Sequence, residues 1–375
     1  MAAQPLVRGC SAHILDGSHH LGQAYPLPQF PARPGAGPTG GSQNPKIDVH
    51  PRFCHPRKMN ATRSASLGPQ QRPLTGNHLK SNFLSGAVCV SFAFLASTAE
   101  AQTTSTCGAA RKPNIVLILA DDLGYADLSC FGSDRIDTPN IDRMAETGMK
   151  FTDFYVTAPL CTPTRASIMT GSYPSRVGLG SPLHARAEIG LNPEEVTLPE
   201  LLKSQGYATA LIGKWHLGHH PMFYPTRHGF DFYYGTPLGH CFLTRSGSSF
   251  SDLFLRNEEK ITFPPIEYLT EDLTREAVQW IKANQTRPFF LFMSHPMPHG
   301  PVAASDRFRG QSDGGPYGDA VETIDWSTGE LIKAIEELGL SQDSIVVFTS
   351  DNGAGRNNWG VEDADWLGSN APFRG

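Results

Sequence analysis

"PNIVLILADD", residues 113–122, decides how this chain folds. Its apolar residues run from Ile115 to Ala120 without alternation and end on two aspartates. A strand wetted on one face alternates apolar with polar residues, so an unbroken run predicts a central parallel strand buried on both faces. The same texture returns in "YATALIG" (207–213), "FFLFMS" (289–294) and "SIVVFTSDNG" (344–353). Between these runs the apolar spacing changes to that of helices. "TPNIDRMAETG" places Thr138 as a cap, Ile141, Met144 and Ala145 on one face, and Gly148 as the stop. "TLPELLKSQG" repeats the plan, with Thr197 and Glu200 as a capping box and Gly206 at the end. Leu273, Ala277, Trp280 and Ile281 form one stripe over residues 270–283, and a longer helix is predicted over 317–338. Strands alternating with helices imply an α/β fold, an open and mostly parallel sheet sandwiched by helices.

Composition narrows the classes. The chain has 375 residues, 39% hydrophobic and 18% charged, with a formal net charge of -5, enough for one large core or two ordinary domains. Slight acidity without a basic run predicts no nucleic-acid partner. Seven cysteines show no zinc-type grouping, and Cys130 and Cys241 read as free thiols. Residues 1–78 mix Pro, Gly, His, Arg and Ser without a period and read as a disordered extension or one outside the true coding start. Residues 79–101 resemble a secretory signal. Lys80 precedes the apolar run Phe83–Ala96, and Ala99-Glu100-Ala101 offers a cleavage site before Gln102. That run is too short for a stable membrane span, and its internal position suggests translation starting near residue 79 or at Met59. The expectation is an exported, periplasmic or secreted protein whose folded part is 102–375.

In open parallel sheets, ligands sit beyond the carboxyl ends of the strands. Four polar clusters fall there: Asp121-Asp122, Lys214 with His216, His295 with His299, and Asp351-Asn352. Three carboxylates and an amide oxygen are hard donors that suit calcium, or less well magnesium, rather than zinc. Arg165, Lys214, His216 and His299 add donors and positive charge, and a basic pocket beside a cation suits a tetrahedral sulfate or phosphate ester. His295 serves equally well as a local hydrogen-bonding residue. Trp215 and Trp280 read as packing residues. Cys161, in "PLCTPTRASIMTG" (159–171), falls at a helix start because Pro163 suits the first turn. There a thiolate of lowered pKa could be a nucleophile, although a thiol is a poor partner for a hard cation.

"CTPTRASIMTG" resembles the signature of the formylglycine-dependent sulfatase family. The likeness continues in order through "GYATALIGKWHLG", "PTRHGFDFYYG", "PHGP" and "SDNG…GSNAPFRG". It implies an alkaline-phosphatase-like sheet and a Cys161 converted to Cα-formylglycine by a separate maturation enzyme. Calcium would be held by Asp121, Asp122, Asp351, Asn352 and the modified residue 161. By the same resemblance, Arg165 and Lys214 stabilise formylglycine and its ester, His216 orients or deprotonates the hydrate, and His299 contacts sulfate and protonates the leaving group. The hydrate attacks sulfur, and the second geminal hydroxyl then restores the aldehyde and expels sulfate.

The blocks "IGLNPEEVTLPELL" and "PTRHGFDFYYG" look closest to the arylsulfatase A and N-acetylgalactosamine-6-sulfatase branch. That implies an aryl sulfate or a sulfated carbohydrate as substrate, with specificity in loops 178–190 and 235–265. His219 and His220 either add an imidazole near the pocket or lie at the surface. Asn284-Gln-Thr fits a glycosylation pattern. The resemblance also implies a further lysine, the last core elements and a small antiparallel domain beyond "NAPFRG", so a fragment with weak or no activity is expected. The alternatives are a phosphonate or phosphodiester hydrolase of the same superfamily, and an inactive homologue.

Overall fold

The structure is a computed structural model that describes residues 111–239, 253–355 and 367–373. The extension 1–78, the signal-like segment 79–101 and Cys241 lie outside the described residues, as do parts of the 235–265 loop. Seven strands form one sheet: β1 (Asn114–Asp121), β2 (Ala208–Lys214), β3 (Phe232–Thr236), β4 (Phe254–Arg256), β5 (Glu259–Ile261), β6 (Phe289–Pro298) and β7 (Ser344–Ser350). Their order is β5-β4-β3-β2-β6-β1-β7, with every pair from β3 to β7 parallel and the short β3-β4-β5 edge antiparallel. β1 pairs with β6 and β7 and so lies one place in from the β7 edge of the described sheet, not at its centre. Its Ile115 and Leu117 are accordingly only partly buried, while Val116, Ile118 and Leu119 are fully enclosed.

The period of two sorts each strand's side chains between two cores. Val116 and Ile118, Ala210 and Ile212, and Leu291 and Met293 face α4 (Leu269–Asn284) and α5 (Gly315–Glu337), whose Leu273, Ala277, Ile281, Leu331 and Ile335 cover them. Leu119, Leu211, Phe290 and Phe292 face the other way. They meet Ala166 and Met169 of α2 (Cys161–Thr170), with Leu198 and Leu202 of α3 (Leu198–Ser204) at the margin. Each large apolar side chain so enclosed contributes about 1.5–3 kcal/mol. Trp215 and Trp280 are packing residues: Trp215 donates to the Phe223 carbonyl, and Trp280 stands edge-on to Phe289.

Two caps differ in kind. Thr197 N donates to Glu200 Oε2 at 2.8 Å, as a capping box requires. Thr138 occupies the N-cap of α1 (Pro139–Thr147), yet its hydroxyl does not cap the helix. That work falls to Asp325 of α5, whose Oδ1 accepts from Asn140 N (3.0 Å) and Ile141 N (2.9 Å). Sequence spacing cannot show a cap supplied from another helix. Asn284 is buried, and its side chain is held by Trp280 O and Arg287, so it is no exposed glycosylation acceptor. His219 is buried and stacked on the exposed His220, so only His220 fits a surface position. Cys130 is a free thiol.

Two enclosed histidines set a pH dependence. Burial pushes His295 down to about 3 and His228 down to about 4, the latter despite a small opposing effect of Glu200. Both stay neutral in the fold, while an unfolded histidine takes up a proton near its ordinary 6.5. The unfolded state then binds more protons, so stability falls as pH drops from about 6.5 toward 4. In urea titrations across that range, His295→Leu is expected to flatten the slope by up to about 1.4 kcal/mol per pH unit. Equal slopes for the two proteins would refute this.

Candidate active site

Parallel strands bring their ends to one edge, and the polar residues sit there. Asp121 ends β1, Lys214 ends β2, and Asp351 follows β7. The Asp351 amide donates to the Ala120 carbonyl at 3.1 Å, and Asp122 N donates to Asp351 Oδ1 at 3.2 Å, so the two acidic loops are adjacent. Asp121, Asp122 and Asp351 each offer a carboxylate oxygen within 4.8 Å of the others. Asn352 joins them, its Nδ2 donating to Asp122 Oδ1 at 2.5 Å.

α2 carries Cys161 at its first position, Pro163 in its first turn and Gly171 in the left-handed conformation at its end. One turn below the cysteine, Arg165 is 1% exposed and uses its whole guanidinium. Nε and Nη2 reach Asp351 Oδ2 at 3.1 and 2.9 Å, and Nη2 reaches Asp121 Oδ1 at 3.3 Å. Nη1 donates to the Lys214 carbonyl (3.0 Å) and to Ser294 Oγ (2.7 Å). Lys214, fully enclosed, pairs with Asp121 through a short contact.

Two buried cations face two buried carboxylates, Asp121 and Asp351, and the half-buried Asp122, and the imbalance shows in their acidities. Burial alone would raise Asp121, but Lys214 and Arg165 outweigh it and hold that carboxyl well below the usual range. Burial and the charge of Asp121 push Asp351 well above it, and the same two causes raise Asp122. The cluster is short of positive charge. In addition, Asn352 Oδ1 is buried without a hydrogen-bond partner among the described residues. Hard oxygens, a net negative charge and an orphaned amide oxygen fit a calcium-type cation.

His216 follows Lys214 with φ of 60°, and Asp122 has φ of 63°. Among the described residues only three non-glycine positions have positive φ, and these are two of them. Such strain concentrates where function demands a particular placement. His216 Nε2 lies 2.9 Å from the Leu183 carbonyl, which assigns the proton to that nitrogen, while Nδ1 is buried without a partner among the described residues. Burial, then Lys214, lowers its pKa well below 6.5. His299 lies just past β6, its Nδ1 directed at the Gly300 carbonyl (2.6 Å) and its Nε2 3.7 Å from Asp122 Oδ2.

Two expectations change. His295 lies inside β6, fully enclosed, with Nε2 3.4 Å from Ser327 Oγ, and does not join the cluster. The Cys161 thiol is not acidified by its helix terminus: burial pushes it up to about 11, Lys214 opposing. A thiolate nucleophile is therefore disfavoured. Two residues were missed. Ser294 Oγ bridges Arg165 Nη1 to the Lys214 carbonyl (2.7 Å to each), and its one sequence signal is a polar residue closing an apolar run. Thr162 Oγ1 donates to His216 O (2.9 Å) and accepts from Leu183 N (3.2 Å), fastening α2 to the His216 turn.

The chain belongs to the sulfatase family, whose family model matches residues 113–375. It is 41% identical over 286 residues to the N-acetylgalactosamine-6-sulfatase of Canis lupus familiaris, covering 71% of this chain and 54% of that one. To the human steryl-sulfatase it is 36% identical over 348 residues, covering 71% and 59%. The crystal structure of Ps i-CgsB superposes with a TM-score of 0.62 at 33% identity, covering 70% of this chain and 62% of that one. The chain thus spans little more than half the length of the curated relatives it matches.

Proposed function

We propose that this site hydrolyses sulfate esters, with Cys161 converted to Cα-formylglycine as the nucleophile-bearing residue and calcium held by Asp121, Asp122, Asp351 and Asn352. The observation that carries the reading is the seating of Cys161 one turn above a fully buried Arg165 that bridges Asp121 and Asp351. A thiol of pKa about 11 has little use as a nucleophile, but it is a suitable precursor for a modified residue. Hydrated formylglycine supplies one hydroxyl to attack sulfur and a second whose return to the carbonyl expels sulfate. Calcium supplies charge that orients and stabilises the anionic oxygens.

The chain's own residues do the rest. Arg165 and Lys214 stabilise formylglycine and its ester as fixed, water-excluded positive charge beside residue 161, which needs no reorganisation during the reaction. His216, neutral and with an unpartnered Nδ1, takes a proton from the hydrate. His299, beside Asp122, contacts the sulfate and delivers a proton to the leaving oxygen. Relatives named N-acetylgalactosamine-6-sulfatase and steryl-sulfatase, and a Ps i-CgsB structure in complex with a neocarrahexaose, support the sulfate ester of a carbohydrate or of a sterol-type alcohol as substrate, while an aryl sulfate rests on the sequence blocks alone. Residues 79–101 support export to a periplasm or beyond, and a formylglycine-generating enzyme is the required partner. No helix among the described residues is long and apolar enough to cross a membrane.

The test is peptide mass spectrometry of residue 161 in protein made beside such an enzyme, paired with sulfate release from an aryl sulfate and a 6-sulfated hexosamine. Formylglycine at 161 is expected, with weak, calcium-dependent release of sulfate. Release from a chain with unmodified Cys161 would refute the nucleophile, and a modified chain that turns over a phosphonate or phosphodiester but no sulfate ester would refute the reaction.

A further inference from the structure

We infer that Ser369 and Asn370, with Asp127 and Tyr317 beneath them, form a clasp that holds the two acidic loops of the cation site in register. The inference rests on the calcium reading above. Asp121-Asp122 and Asp351-Asn352 leave different strands, and the 369–370 segment touches both loops.

On the first loop, Ser369 O accepts from Ala126 N at 2.9 Å, and Ser369 N donates to Asp127 Oδ1 at 2.8 Å. Asp127 is fully buried, and its Oδ2 accepts from Gly124 N (2.9 Å) and from the Tyr317 hydroxyl (2.8 Å). That hydroxyl also lies 3.2 Å from the carbonyl oxygen of Asp122. On the second loop, Asn370 Oδ1 accepts from Ala354 N at 2.8 Å and its Nδ2 donates to Ala354 O at 3.1 Å. The amide thereby replaces the backbone pairing that a neighbouring strand would supply. Two glycines show how closely the parts meet. A Cβ at Gly124 would stand 2.3 Å from Ser369 O, and one at Gly353 would stand 2.3 Å from Asn370 Oδ1.

Oxygen donors gathered from separate loops bind a cation tightly only when they are already in place, because ordering them on binding subtracts from affinity. Outer partners of this kind typically govern metal affinity by about 10–100-fold. Asn370, Asp127 and Tyr317 are thus positioning residues: they act on the cation through Asn352 and Asp122.

The experiment titrates calcium chloride into the full chain by calorimetry, with melting temperature measured on the same samples. Asn370→Ala is expected to weaken calcium binding by about 10-fold or more. Gly353→Ala should weaken binding alone but add almost nothing in the Asn370→Ala background, where the obstructing amide is gone. Asp325→Ala, which strips the cap of α1, should lower the melting temperature without moving calcium affinity. If Asn370→Ala behaves as Asp325→Ala does, or if the Gly353 and Asn370 effects simply add, the clasp is overturned. Should the alanine variant not fold, Asn370→Ser carries the same comparison. A wild-type chain that binds no calcium overturns the cation site and the clasp together; wild-type binding with an unchanged variant overturns the clasp alone.

Discussion

Arg165→Met is expected to destabilise the protein by about 3–5 kcal/mol, the usual cost of removing one partner from a buried ion pair. The guanidinium is 1% exposed and has no solvent to fall back on. Its loss leaves Asp351 without its cation and Asp121 dependent on Lys214 alone. It also frees two acceptors that Nη1 had satisfied, the Lys214 carbonyl and Ser294 Oγ. Methionine fills much of the same volume, so the loss is electrostatic and not a cavity effect. Arg165→Lys is expected to recover only a minor part of it. An ammonium is a point charge and cannot reach two carboxylates, a carbonyl and a hydroxyl from one planar fork. Urea unfolding of the three proteins near neutral pH measures this. A cost below about 1 kcal/mol for Arg165→Met would mean that water enters the cluster and that the two carboxylates are not held as described.

The same arginine shows what a sequence can and cannot disclose here. Its place one helical turn after Cys161 follows from the 3.6-residue period, and the clustering of Asp121, Lys214 and Asp351 follows from strands that all end at one edge of a parallel sheet. Those arguments need only local periodicity. Which groups touch is another matter, because it depends on the order of strands across the sheet. β6 separates β1 from β2, so the Lys214 and Asp121 strands are not neighbours, and Ser294 of β6 lies between them as the bridge. No spacing along the chain announces that role. The cap of α1 by Asp325 and the clasp at Asn370 are hidden for the same reason, since each partner comes from more than a hundred residues away or from a different element. The acidity of Cys161 is not legible from its helix start, because desolvation of the thiol and the Asp121 and Asp351 carboxylates, brought in from two other strands, raise its pKa against the helix terminus. For His295 in "SHPMPHG" the sequence leaves two readings, site residue or local hydrogen-bonding residue, because a strand end can be placed only to within a few residues, and the structure bears out the second.

His216→Asn is expected to lower kcat by about 100- to 10,000-fold while leaving folding close to wild type. Asparagine is among the residues best suited to a φ of 60°, so the backbone cost of the turn does not rise. The hydrogen bond to Leu183 O is lost, which accounts for a modest stability change of about 1 kcal/mol. What is removed in the proposed chemistry is a neutral imidazole whose Nδ1 has no partner among the described residues and is therefore available to a proton. The pH profile separates this role from a structural one. Burial and the neighbouring Lys214 depress the His216 pKa well below 6.5, so the neutral, basic form persists through the physiological range. Activity should accordingly fall only as pH drops through that depressed value, and this acid limb should disappear in the variant, whose asparagine does not titrate. Turnover of an aryl sulfate by fully modified enzyme, followed from acid to neutral pH, reads both effects together. A variant that loses rate but keeps the wild-type acid limb would assign that limb to another group and leave His216 as a positioning residue alone.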